Sequence, residues 1–287
     1  MRRRHLLAAA GLAVGTAGCL GNEPTADTGT ALTTTTSTGT TKTTGTDATT
    51  AGTVDVTGTT LQQALAVLQT DYLSVFGGDE RYLLATAAVS GRRLDADAFE
   101  LRIDGDAYSP DSDGRAGRLW RAYQSGNAYE PDAGGLLLFE LPVDGFASTD
   151  DAALTWPGGE HPLRDGLRER LRADAPPLSV DVDGPETVRD GDSPTFDVAV
   201  TNDGTIPARL VAGLNRFGPR VASVPVTRFS TLVDTGGTTT ATYTDDRVTG
   251  GRIDDAAIGD GESDVRYGWN GANRDAEFSI RYVADDT

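Results

Sequence analysis

The chain has 287 residues, with 43 Asp and Glu against 25 Lys and Arg, for a formal net charge of −18. That balance excludes a nucleic-acid-binding face, which needs clustered cations. A single cysteine excludes an intramolecular disulfide, and two histidines leave little for imidazole chemistry. The one lysine is Lys42, so the remaining cations are arginines. A surface rich in Asp and nearly free of Lys repels itself in dilute buffer. At molar salt the Debye length falls to about 3 Å and the repulsion is screened. The composition therefore predicts a protein of an extreme halophile.

Arg2, Arg3 and Arg4 form a positive start, and Leu6 to Ala17 an apolar run too short to span a bilayer. The run ends in Thr16-Ala17-Gly18-Cys19, with small residues directly before the only cysteine. The paired arginines before His5-Leu6-Leu7 resemble a twin-arginine export signal. Ala17-Gly18-Cys19 resembles the lipobox of bacterial and haloarchaeal lipoproteins, from which Thr16 departs, since Leu, Val or Ile usually stands there. The resemblance implies a signal peptide over 1–18, cleavage before Cys19, and lipid attachment to its thiol on the extracytoplasmic face of the cell membrane. Cleavage also removes three arginines and deepens the negative charge.

From 19 to 60 the chain is Thr-rich with Gly, Ala and Asp and has no hydrophobic period. It reads as a disordered tether, holding the folded part about 35 Å from the anchor. The threonines suit O-glycosylation; no Asn-X-Ser/Thr sequon occurs.

Beyond the tether most of the apolar pattern has period two. Leu61 to Val75 fits either a helical stripe or a strand, and we favour strand. Tyr82 to Ser90, Phe99 to Ile103, Gly135 to Val143 and Ala153 to Trp156 read as strands, with a turn at Asp104-Gly105-Asp106. Gly166 to Leu171 reads as a short helix or turn before Pro176-Pro177, a natural boundary. Strands then recur at Leu178–Val182, Phe196–Val200 and Phe278–Tyr282, with turns at Asp190-Gly191-Asp192, Asn202-Asp203-Gly204 and Gly236-Gly237. The expectation is an all-β chain of two immunoglobulin-like β-sandwiches, over 61–175 and 178–287.

Val188 to Gly204, with its Gly-Asp step, strand and Asn-x-Gly turn, resembles the immunoglobulin-like CARDB-type domains of prokaryotic surface proteins. The whole arrangement is similar to uncharacterised haloarchaeal Tat lipoproteins. The resemblance implies a binding, adhesive or scaffolding role and supplies no catalytic residue.

Chemistry is narrowly bounded. After export only His161 remains, in a Gly- and Pro-rich loop with no nucleophile motif beside it. A blue-copper site or a His/Cys zinc site has no ligand set, and no cofactor is implied. Asp104, Asp106, Asp111 and Asp113 are oxygen ligands in reach of a Ca²⁺ reading, as are Asp254, Asp255, Asp260 and Asp264. The twelfth position counted from Asp111 is Ala122, not the Glu of an EF-hand. Trp120, Tyr123 and Tyr129 cluster near the acidic turn, and Tyr267 and Trp269 share one strand face, as candidate recognition surfaces, while Trp156 and Trp269 suit core packing. The reading is a non-catalytic, lipid-anchored surface module whose partner is a protein or glycan. A carboxylate-pair glycoside hydrolase and a solute-binding lipoprotein are the alternatives, the latter lacking the βαβ alternation of a two-lobed fold.

Overall fold

The computed structural model describes residues 52–120, 128–189, 191–218, 221–247, 264–272 and 274–283. They are mostly strand with one α-helix, in keeping with the period-two pattern. β1 (Thr53–Leu68) and β2 (Leu73–Ser90) form one long antiparallel hairpin, and β5 (Gly134–Pro142) adds to β2. The segment 61–75 is thus strand, turn and strand. β1 starts at Thr53, so the sequence-based tether boundary at residue 60 is corrected by eight residues. Threonines there are β-branched and pair through Val54 and Val56 with Val89 and Ala87, although they are too polar to give a hydrophobic period.

A second sheet faces the first in the order β4 (Asp106–Tyr108), β3 (Glu100–Ile103), β6 (Ala153–Trp156), β7 (Gly159–Pro162). Leu83, Ala85 and Phe139 from one sheet meet Leu101, Ile103 and Leu154 from the other in a single core. The β3–β4 turn is tight because Asp104 (φ 55°) and Gly105 (φ 81°) both occupy left-handed backbone, the geometry of a type I′ hairpin. Helix α1 (Asp165–Arg172) closes the open end. Leu167 and Leu171, four apart, bury on the core, Asp165 sits in its first turn and Arg170 and Arg172 in its last, each favourable to the helix dipole.

The second sandwich packs β13 (Thr238–Thr244), β10 (Thr195–Asn202) and β8 (Leu178–Asp183) on a larger sheet. That sheet runs β12 (Val221–Val233), β11 (Ala208–Gly218), β14 (Asp264–Gly271), β15 (Ala276–Val283), β9 (Thr187–Arg189). Phe196, Val198 and Val200 meet Leu214, Tyr267, Trp269 and Ile280 between them. Tyr267 and Trp269 share one face of β14 as expected, and that face is buried.

The described residues belong to one compact unit. Its two cores are joined by the far end of the β1–β2 hairpin, where Ala64 and Ala66 pack on Val211 of β11. A register break between Gln62 and Ala64 makes this possible. It turns Leu61 to the inner core but Leu65 and Val67 to the opposite face of the sheet. There they are covered by Ala116 and Leu119, from a strap running back across the sheet.

Candidate functional site

A polar cleft lies on the β3–β6–β7 sheet. Trp156 ends β6, Pro157 and Gly158 (φ 91°) turn the chain, and Gly159 of β7 pairs directly with Trp156. A Cβ on Gly159 would stand 2.7 Å from the indole Nε1, so only glycine allows the ring to lie flat over this strand. The indole packs on the first core at Phe99, 5.8 Å between centroids, as the sequence led us to expect, and remains half-buried. It lines a cleft of about 720 Å³ together with Asp97, Glu100, Arg102, Thr155 and Glu160.

Register explains the polar lining. Glu100, Thr155 and Glu160 stand side by side on three adjacent strands. Their neighbours Leu101 and Leu154 point into the core, so these three take the outer face. Thr155 Oγ1 donates to Glu100 O at 3.2 Å, and Arg102 Nη2 donates to Glu100 Oε2 at 3.3 Å. An exposed pair of this kind is held by little energy, so both groups are free to exchange their bond for one to a ligand. The cleft thus offers one fixed aromatic surface, two donors and three carboxylates. A second cleft of about 630 Å³, beside Glu186, Glu277 and Arg281, has Phe278 as its aromatic residue, and that ring packs against the core at Phe196.

The acidic turns are engaged elsewhere. Asp104 and Gly105 donate their backbone N–H groups to the two carboxylate oxygens of Asp151, each at 3.0 Å. Those bonds, Gly105 first, hold the Asp151 carboxyl below its ordinary range. Asp111 is buried in the strap, where Oδ1 accepts from Arg115 Nη2 at 2.7 Å and Nε at 3.0 Å, and Oδ2 from Arg115 N at 3.1 Å. Arg115 Nη2 also reaches Glu140 at 2.6 Å. Among the described residues no group of three metal-capable side chains forms. Of the sequence-based calcium candidates, Asp104 thus belongs to an aspartate-capped turn and Asp111 is engaged by an arginine.

The aromatic candidates are likewise separated. Tyr129 sets its ring edge against Phe99 at 5.6 Å and donates its hydroxyl to Leu94 O at 2.9 Å, so it belongs to the inner core. Trp120 follows the strap over the other side of the sheet, its N–H donating to Ala66 O at 3.0 Å. Cys19, Arg2, Arg3, Arg4, Tyr123, Asp254, Asp255 and Asp260 lie outside the described residues. His161 pairs with Leu154 across β6 and β7 and is half-buried. Burial, reinforced by Arg164 and opposed by Asp55, pushes its pKa down.

One buried acid escaped the sequence reading. Asp245 is fully buried; its Oδ2 accepts from Arg216 Nη1 at 2.8 Å and from the Tyr267 hydroxyl at 2.9 Å. Arg247 N donates to its Oδ1 at 3.3 Å. A buried carboxylate so fully engaged tethers the segment after β13 to the second core. Its only hint in the sequence is Asp245-Asp246-Arg247 directly after a strand.

No protein-family model and no curated protein sequence matches the chain. Among solved structures it is similar to a β-glucosidase from Listeria innocua in complex with isofagomine, at 11% identity and a TM-score of 0.30. That likeness covers 39% of this chain and only 17% of the enzyme. It is similar to the CARDB domain of a Pyrococcus furiosus protein in complex with di-metal ions, at 17% identity and a TM-score of 0.26. There 38% of this chain and 89% of that one are covered. Likenesses this slight carry no activity, ligand or metal over to this chain.

Proposed function

We propose that this is a non-catalytic binding module held by Cys19 to the outer face of the membrane of a halophile, with the Trp156 cleft as its ligand site and a surface glycan as its ligand. The observation that carries the reading is the fixed, half-buried indole at the edge of the cleft with Asp97, Glu100, Arg102, Thr155 and Glu160. A pyranose ring has one apolar face that stacks on an indole and a rim of hydroxyls that bond carboxylates and guanidinium groups. The cleft volume suits a ligand of one to three sugar units. A small aromatic site of this kind gives micromolar to millimolar affinity, appropriate to a tethered module that gains strength from many copies on one surface.

The test is calorimetric titration of neutral and acidic oligosaccharides into the full lipidated chain at about 3 M salt. Trp156→Ala weakens binding about tenfold or more, the usual loss for truncating a central aromatic anchor. Unchanged affinity in that variant refutes the site.

A second reading rests on Glu100 and Glu160, which flank Thr155 in one register row. Two strand spacings set their backbones about 10 Å apart, so their side chains can converge to the roughly 6.5 to 9.5 Å carboxyl separation of an inverting glycosidase. Release of reducing sugar from bound glycan, abolished by Glu160→Gln with binding retained, would replace the binding module by a hydrolase.

A further inference from the structure

An edge strand leaves half of its backbone N–H and C=O groups without a sheet partner, a template on which another chain can pair. Among the described residues, every sheet edge but one is blunted. β4 and β9 have three residues each, and β7 has four and ends in Pro162. β12 carries Pro225 and meets β11 with two register shifts. β1 is broken by two shifts, and its carbonyls at Leu61 and Ala66 accept from Arg170 Nη2 and Trp120 N. β5 is bridged by Ala128, and its Leu138 O accepts from Asp111 N. On β8, Asp181 and Asp183 stand exposed, and Val180 O accepts from Arg274 Nη1 at 2.9 Å. β13 has none of these devices: Thr238 to Thr244 pair with β10 in unbroken register and contain no charge, proline or glycine.

The hydrogen bonds at the two ends of this pairing fix which way the β13 backbone faces. Asn202 N donates to Gly237 O at 2.9 Å, and Asp245 N donates to Pro194 O at 3.0 Å. Both couples continue the β10–β13 register, and hydrogen-bonded pairs recur at every second residue of an antiparallel ladder. Thr239, Ala241 and Tyr243 therefore turn their N–H and C=O groups to β10. Thr238, Thr240, Thr242 and Thr244 turn theirs outward, where no partner is found among the described residues. Their side chains are exposed on the outer face of the sheet, while the other three are half-buried.

We infer that β13 pairs antiparallel with β13 of a second copy of this chain, about a two-fold axis at Ala241. The strand reads Thr-Thr-Thr-Ala-Thr-Tyr-Thr, the same from either end apart from Thr239 and Tyr243. In this register Thr238 faces Thr244 of the second copy and Thr240 faces its Thr242, so every outward N–H and C=O meets an outward counterpart. Ala241 meets Ala241 in the closer, non-hydrogen-bonded kind of pair. A slip by one residue sets outward groups against inward ones and makes none of these bonds. On the outer face threonine then stands beside threonine across the axis. This sheet already uses that pairing: Thr195 Oγ1 lies 2.9 Å from Thr244 Oγ1, and Thr201 Oγ1 2.9 Å from Thr238 Oγ1.

Charge favours the same occupant. In a chain of net charge −18, two copies meet most readily where no carboxylate opposes another. Asp197, the carboxylate that adjoins β13 on the outer face, lies one strand in, beside Thr242. Across three strand spacings it stands about 14 Å or more from its counterpart in the second copy, well beyond the Debye length of about 3 Å at molar salt. The product is one sheet continuous from β8 of one copy to β8 of the other.

A single strand pair is smaller than a standard interface, so association is of about micromolar affinity or weaker. The experiment uses the full chain carrying Cys19→Ser, which removes both the lipid and the only thiol. Sedimentation equilibrium at about 3 M salt, up to about 1 mM protein, is expected to show a reversible monomer–dimer equilibrium. Thr240→Pro removes one outward donor and leaves the β10 ladder whole; it weakens dimerisation at least about tenfold without lowering the melting temperature of the monomer. Thr240→Val keeps the backbone donor and dimerises as the parent does. Ala241→Cys gives a covalent dimer on oxidation, its Cα atoms standing about 4.5 Å apart across the axis, whereas Ser179→Cys on the far edge of the sheet does not. A chain monomeric throughout this range, a dimer that Thr240→Pro leaves intact, or an Ala241→Cys chain that does not cross-link overturns the inference. The cysteine arm keeps the test decisive where the proline variant folds poorly.

Discussion

Asn215 and Leu73 are 142 residues apart, yet they bond as if they were paired on neighbouring strands. The Leu73 N–H donates to Asn215 Oδ1 at 2.7 Å, and Asn215 Nδ2 donates to Leu73 O at 2.9 Å. Leu73 opens β2 and Asn215 lies in the middle of β11, so one side-chain amide serves as the missing backbone partner where the two sandwiches join. Both residues are essentially inaccessible, at 0% and 1% exposure. Asn215→Ala strands two buried backbone groups, at about 1 to 3 kcal/mol each. We expect Asn215→Ala to lower unfolding free energy by about 2 to 5 kcal/mol in denaturant titration. Asn270→Ala, which removes only a 3.5 Å contact to Leu73 O, serves as the control with a much smaller loss.

Arg81 predicts a failure of conservative substitution. It is 1% exposed, and it collects five carbonyl oxygens from the end of β5 and the last turn of α1, including those of Arg170 and Leu171 that the helix leaves unpaired. Burial pulls its pKa down, opposed by Asp174 and Asp144. A planar fork reaches acceptors on several sides at once, while an ammonium presents three donors at one point. Arg81→Lys should therefore destabilise nearly as much as Arg81→Met, both by about 3 kcal/mol or more. Thermal unfolding followed by circular dichroism checks this; a lysine variant near the parent's stability contradicts the geometry.

Alternation was enough to place β3, β8 and β10, because each has one face in a core and one towards solvent, whereas β5 reads as a continuous apolar run because Leu137 and Phe139 enter one core and Leu136 and Leu138 another. Alternation was ambiguous over 61–75 for a reason visible at Gln63. The register break flips the strand, so Leu61 and Leu65 face opposite sides, and the resulting spacing of four imitates a helical stripe. Thr53 to Thr60 read as tether because threonine supplies strand propensity without hydrophobicity. Arg81 was passed over since Arg is mostly exposed; only its burial distinguishes it. The cleft could not be assembled in advance either. Asp97, Glu100, Trp156 and Glu160 are unremarkable one by one, and pairing of β3 with β6 across 53 residues brings them together. The available signal was Trp156-Pro157-Gly158-Gly159-Glu160, a turn holding an aromatic at a strand end.

Alkaline pH should weaken the fold through its tyrosines. Burial is the first cause in each case: it pushes Tyr129 and Tyr282 up to about 12, and Tyr267, also bonded to Asp245, higher still. In the unfolded chain these hydroxyls ionise near pH 10. Between that value and the folded pKa, the unfolded state has lost protons that the folded state keeps, so stability is complete below about pH 10 and falls as pH rises towards 12. Denaturant midpoints from pH 8 to 11.5, with tyrosinate absorbance followed in parallel, test this. Tyr267→Phe should flatten the alkaline decline while lowering stability at pH 8, since Asp245 then loses a buried donor.

The net charge of −18 predicts a strong dependence on salt. The ion pairs of Arg93, Arg102 and Arg266 are more than half exposed on the arginine side and contribute little, so they do not offset a net charge of −18. Dialysis from about 3 M to 0.1 M salt lengthens the Debye length to about 10 Å, and neighbouring carboxylates begin to repel. The melting temperature of the full chain should fall by about 10 °C or more. Screening responds to any salt, so sodium gluconate at about 3 M restores most of that loss. A melting temperature indifferent to total salt overturns the halophilic reading.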